Sequence, residues 1–122
     1  MNNIPLEFIG ERNFLDIELE QIRFENKKVC IIGDMTINSS IDHVLVDGYA
    51  ELCLSSESGS DTGISIMEKR EEEWESSLEQ DISSLYLIST DSEGTVVLEG
   101  NRSDSVKVRI IVSNVSVNYR YL

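Results

Sequence analysis

Between Leu15 and Glu20 apolar and acidic residues alternate without interruption, with Leu15, Ile17 and Leu19 in one set and Asp16, Glu18 and Glu20 in the other. A repeat of two puts each set on its own face of an extended chain, so this segment fits a strand with one face in a core and one in water. The phase shifts at Gln21, before Ile22 and Phe24, which predicts a bulge or a turn there. Near the C-terminus Val106, Val108, Ile110 and Val112 alternate again, and Val115, Val117, Tyr119 and Tyr121 do so in the opposite phase. Two strands joined at Ser113–Asn114, or one strand with a bulge there, satisfy that switch. A chain with this pattern at both ends must build a sheet.

The segments between are less uniform. Glu25–Lys28 is a polar break, after which Val29 to Ile37 reads as a central strand, so a hairpin is expected. His43 to Leu54 contains Asp47-Gly48, which either closes a tight hairpin or marks a bulge in one long strand. Ser55 to Gly63 has nothing apolar to bury and reads as a surface loop. Then the period changes: Met67, Trp74, Leu78, Ile82 and Leu85 recur at spacings of seven, four, four and three, the spacing of one helical face. A helix from about 66 to 82 follows, with Ser65 and Glu68 as a capping box and Trp74 filling the core beneath it. Leu85 to Thr90 and Thr95 to Glu99, joined by Asp91-Ser92-Glu93-Gly94, give a second hairpin signal. The sum is a single α+β domain spanning residues 1–122: an antiparallel or mixed β-sheet with one principal helix packed on one face.

Charge narrows the partners. Twenty-three acidic residues against 10 basic give a formal charge of −13, a field that repels nucleic acid and anionic membranes and draws in basic surfaces. Arg102, Lys107, Arg109 and Arg120 face only Asp104 as an acid near the C-terminus, which predicts a polarised molecule if the termini stay apart. The acids cluster on the predicted helix, at Glu71, Glu72, Glu73, Glu75 and Glu79, and Asp61 lies in the loop before it. We take Glu71, Glu72, Glu75, Glu79 and Asp61 as the candidate partner-binding residues. No apolar run spans a bilayer and the N-terminus has no signal-peptide pattern, so a cytoplasmic protein is expected.

Neither phosphate-binding glycine motif occurs, nor does a G-x-S-x-G elbow, and His43 is the one histidine. Cys30 and Cys53 each sit in an apolar run, which suits buried free thiols in a reducing compartment, with a disulfide between them as the alternative. A zinc site from Cys30, His43 and Cys53 would have spacings of 13 and 10 with no C-x-x-C knuckle, so neither metal nor cofactor is expected. The expectation is a protein that is not an enzyme.

Small, very acidic and free of such motifs, the chain resembles in general character the immunity proteins that bacteria keep against secreted nuclease toxins. That resemblance implies an inhibitor whose clustered carboxylates cover the basic cleft of a toxin domain. A non-catalytic adaptor or structural subunit, or a mimic of nucleic-acid charge, is the alternative. An exposed terminal strand at Val115–Tyr121 would allow a weak homodimer beside the monomer.

Overall fold

The computed structural model describes residues 2–6, 9, 13–38, 44–57, 63–91 and 93–122. The described chain forms ten strands: β1 (Asn2–Ile4), β2 (Asn13–Glu25), β3 (Lys28–Asn38), β4 (Val44–Ser56), β5 (Ile64–Arg70), β6 (Glu73–Ser76), β7 (Ser84–Thr90), β8 (Val96–Asn101), β9 (Lys107–Val112) and β10 (Val115–Tyr121). All pairings are antiparallel. One sheet runs β1-β10-β4-β3-β2 and the other β2-β7-β8-β9-β5-β6, so β2 belongs to both. The start of β2, Asn13 and Phe14, pairs with β7, while Leu15 to Glu25 pairs with β3.

This all-β architecture corrects the α+β expectation, because no helix packs on a sheet among the described residues. The segment read as a helix is the hairpin β5–β6. Its cause lies in β9, where Val108, Ile110 and Val112 are buried and the open edge requires a partner strand. Ile64, Ile66 and Glu68 stand opposite Val112, Ile110 and Val108 and supply that partner. Long-range pairing of this kind overrides a local helical preference. Leu78, placed by the helical spacing on the core stripe, is 99% exposed. Ser65 and Glu68 form no capping box: Ser65 pairs with Ile111, and Glu68 bonds to Arg102.

Both sheets turn their alternate apolar side chains into one core. Val29, Ile31, Met35, Ile37, Val46, Leu52 and Leu54 of the first sheet join Ile88, Val96, Leu98, Val108, Ile110 and Val112 of the second in a single cluster. The bulge expected near Gln21 is present, as the β2–β3 register slips between Leu19 and Gln21. Beside it stands Gly33, where an added Cβ would strike the carbonyl oxygen of Glu18, so this close approach of β2 to β3 needs glycine. The hairpin at Glu25–Lys28 and the one around Asp91–Gly94 also form as expected.

Two open alternatives are resolved. Asp47-Gly48 lies inside one long strand, β4, and keeps regular pairing with Thr36 and Met35. At Ser113–Asn114 the chain makes two strands, but they do not pair with each other: β9 lies between β8 and β5, and β10 between β4 and β1. The phase switch thus marks a crossing from one sheet to the other, with Asn114 at φ 49, a conformation that asparagine tolerates well. Because β1 covers Val117–Tyr119, β10 is not the bare terminal strand that would allow a weak homodimer.

Cys30 and Cys53 stand directly opposite each other on β3 and β4, with Cα atoms 4.3 Å apart, and form a disulfide. The expectation of free thiols is thereby corrected. Apolar neighbours on both sides pointed to burial, which holds, but only the register of β3 against β4 brings the two residues together.

Candidate functional site

The outward face of the first sheet follows from the same alternation that builds the core. Each inward apolar residue of β2, β3 and β4 alternates with an outward one, and at one end of the face most of these are acidic. Cross-strand register sets Asp16, Thr36 and Asp47 in one row and Glu18, Asp34 and Tyr49 in the next. Glu20, in the bulge, accepts a 2.8 Å hydrogen bond from the Tyr49 hydroxyl. Thr36 donates to Asp47 at 3.3 Å. Residues two apart on a strand are separated by about 6.7 Å and neighbouring strands by about 4.8 Å, so five carboxylates share a patch two strand-spacings wide. A depression of about 350 Å³ lies within it, lined by Glu18, Leu19, Glu20, Asp34 and Tyr49.

All five carboxylates, those of Asp16, Glu18, Glu20, Asp34 and Asp47, belong to exposed residues. None has an ion-pair partner among the described residues. The described arginines are all committed elsewhere: Arg23 and Arg120 to Glu51, Arg70 and Arg102 to Glu68, and Arg109 to Glu99. Glu18 directly faces Asp34, and like charges in that position oppose folding by about 0.2–1 kcal/mol. One physical consequence appears at Tyr49, whose ionisation is pushed above its ordinary value because its hydroxyl donates to Glu20 and the carboxylate repels a phenolate. The five acids share one wet environment, whereas an acid–base pair needs one desolvated and one solvated carboxyl. The face is suited to attracting cationic groups.

The residues singled out from sequence lie elsewhere. Glu71, Glu72 and Glu75 share the β5–β6 hairpin, and Glu79 lies on the segment after β6. Glu72 pairs with Lys69 at 3.6 Å, Glu75 with Arg70 at 4.0 Å and Glu79 with Arg102 at 2.9 Å, so this cluster is largely neutralised within the chain. Asp61 lies outside the described residues, as do His43 and most of the expected surface loop. At the tip Glu71 and Glu72 have φ of 49° and 72°, the backbone of a two-residue type I′ turn. Asparagine and glycine suit those positions, and two glutamates do not. Trp74 is half-buried under the Arg109 guanidinium, 4.0 Å from its ring centroid, on the outward face of the second sheet rather than in the core.

The expected polarisation also fails. Arg102 closes a buried cluster with Glu68 at 2.6 Å, beside Asp104 and Glu79 at 2.9 Å, and Arg120 reaches Glu51 at 3.1 Å. The C-terminal cations thus neutralise acids from earlier strands. Within that cluster the Arg102 guanidinium bonded to Asp104 holds its carboxyl below the usual range, helped by the amide of Val106.

The acidic face was half visible in the sequence. Asp16, Glu18 and Glu20 are marked as outward by alternation alone, but Asp34 and Asp47 join them only through the registers of β3 and β4. No protein-family model, curated protein or solved structure matches the chain. No helix among the described residues is long and apolar enough to cross a membrane.

Proposed function

We propose that the protein is a macromolecule-binding inhibitor that receives a basic protein partner on the acidic face of β2, β3 and β4, as an immunity protein covers the cleft of a nuclease-type toxin. The observation that carries this reading is the group of five exposed carboxylates without an ion pair among the described residues, while the described arginines pair elsewhere. Leaving such a face unpaired lowers stability, and its return is a field that accelerates association with a cationic surface. Glu71, the one of the three hairpin acids chosen from sequence without an ion pair in the described structure, offers a second and smaller contact. The protein acts without catalysis, and its place of action on this reading is the cytoplasm.

A second reading, mimicry of nucleic-acid charge, draws on the regular spacing of Asp16, Glu18 and Glu20 along β2, since a phosphate backbone also presents evenly repeated negative charge. In both cases the partner is basic. Affinity capture from lysate of the source organism, with low-salt and high-salt washes, tests the proposal against the variant D16N/E18Q/D34N. A basic protein retained by the wild type, released by salt and lost by the variant is expected. If that protein is toxic when expressed alone, the inhibitor reading stands, and if it is a nucleic-acid-binding protein of no toxicity, the mimic reading replaces it. Equal retention by the variant would refute both.

A further inference from the structure

At the other end of the outward face that carries the acids, one set of donor atoms is buried together. Cys30, Cys53 and Glu51 are 1%, 2% and 5% exposed, and one ligand atom from each lies within 4.8 Å of the others. The arrangement is set by the ladder: Cys30 stands opposite Cys53, and Glu51 lies two residues before Cys53 on the same face of β4. Arg23 Nη2 donates to Glu51 Oε2 at 2.9 Å and Arg120 Nε to Oε1 at 3.1 Å.

We propose that, once the disulfide is opened, Cys30, Cys53 and Glu51 form a three-donor site for a thiophilic divalent cation of the zinc class, with a fourth position for water. Two thiolates and a carboxylate are a donor set that zinc accepts. Tetrahedral bonds of about 2.3 Å to sulfur and 2.1 Å to oxygen place sulfur about 3.8 Å from sulfur and about 3.6 Å from oxygen. The three atoms lie within 4.8 Å of one another on two paired strands, and opening the disulfide frees the sulfurs to part to that spacing. Glu51 can serve while keeping its arginines, because a carboxylate offers about four lone-pair positions and the guanidiniums take two. In that role Arg23 and Arg120 orient the ligand from behind.

Charge does not oppose the exchange. The disulfide with Glu51 carries one negative charge beneath two guanidiniums, and two thiolates, Glu51 and a divalent cation together carry the same. Opening the disulfide takes two electrons from a small dithiol, which leaves as its cyclic disulfide. Metal binding then displaces two protons from the thiols. In a reducing compartment the dithiol is the standing form, so the site and the disulfide are alternative states of one pair.

Cobalt(II) is the probe. The intact protein is reduced with dithiothreitol, desalted without oxygen and titrated, in parallel with oxidised protein. One cobalt per chain, with a thiolate-to-metal charge-transfer band that zinc abolishes, is expected for the reduced protein and no band for the oxidised one. E51Q should weaken the apparent affinity at least tenfold, and bound zinc should slow return of the disulfide in air. No charge-transfer band from reduced wild type, whether or not it stays folded, overturns the site. Unchanged affinity in E51Q overturns the assignment of Glu51.

Discussion

Replacing Glu71-Glu72 by Asn-Gly should stabilise the protein, and the sign of that change distinguishes the hairpin from the helix that the local sequence favours. Both glutamates have positive φ. A side chain held in the left-handed region costs about 1–2 kcal/mol, which glycine at position 72 removes. Against this stand about 0.4–1 kcal/mol for the greater freedom of glycine in the unfolded chain and a few tenths for the exposed Lys69–Glu72 pair. Asparagine at position 71 recovers a further few tenths, because its short side chain suits this backbone. The net gain is about 1 kcal/mol. In a helix the same exchange would cost about 1 kcal/mol, glycine being among the poorest helix formers.

The two structures therefore differ by about 2 kcal/mol in this measurement, and for a chain of 122 residues each kcal/mol moves the melting temperature by about 4 °C. Trp74 lies two residues from the turn and is the chain's one tryptophan, so its fluorescence during urea or thermal unfolding reports directly on the hairpin. E72A is the control: it keeps the strained backbone, so it gains nothing in the hairpin and would stabilise a helix. A loss of stability in E71N/E72G, with a gain in E72A, would refute the hairpin.

Other tests bear on the first sheet. Gly33→Ala should destabilise by about 1–3 kcal/mol, since its methyl group meets the Glu18 carbonyl at the bulge, and an unchanged urea midpoint would show that β2 does not approach so closely. Reducing the disulfide, which links positions 23 residues apart, should lower stability by about 3.4 kcal/mol through loop closure, read from denaturant curves with and without reductant. The Tyr49 hydroxyl should ionise above its ordinary value near 10, with the contribution of its bond to Glu20 fully present below that value and lost as pH rises through the higher folded one. E20Q should return the Tyr49 titration, followed by NMR, toward normal, and an unchanged curve would remove Glu20 from the phenol.

The β2–β3 hairpin, the bulge at Gln21 and the strands at the C-terminus were legible because a repeat of two survives wherever one face is buried and the other wet. The β5–β6 hairpin was not. Its glutamate-rich tip has no turn residue, and apolar positions at 67, 74, 78 and 82 matched a helix by spacing although Leu78 is solvent-exposed and Trp74 stacks on Arg109. Only the demand of β9 for a partner decides the segment, and that demand is non-local. The candidate site divides in the same way. Asp16, Glu18 and Glu20 could be read as one outward row, whereas Asp34, Asp47 and the meeting of Cys30 with Cys53 depend on register between strands. The dense run Glu71–Glu75 stands out by composition, but the pairing of Glu72 with Lys69, of Glu75 with Arg70 and of Glu79 with Arg102 is a property of the folded chain.

The central claim, that a basic partner docks on the face of β2, β3 and β4, is tested most directly by association rates with that partner across ionic strength. The wild type should bind fast at low salt and slow steeply as salt rises. D16N/E18Q/D34N should associate at least tenfold more slowly at low salt with a flatter dependence, while E71Q/E72Q/E75Q, whose charges are mostly paired, should change little. A steep salt dependence preserved in the first variant and lost in the second would contradict the account and move the docking surface to the hairpin.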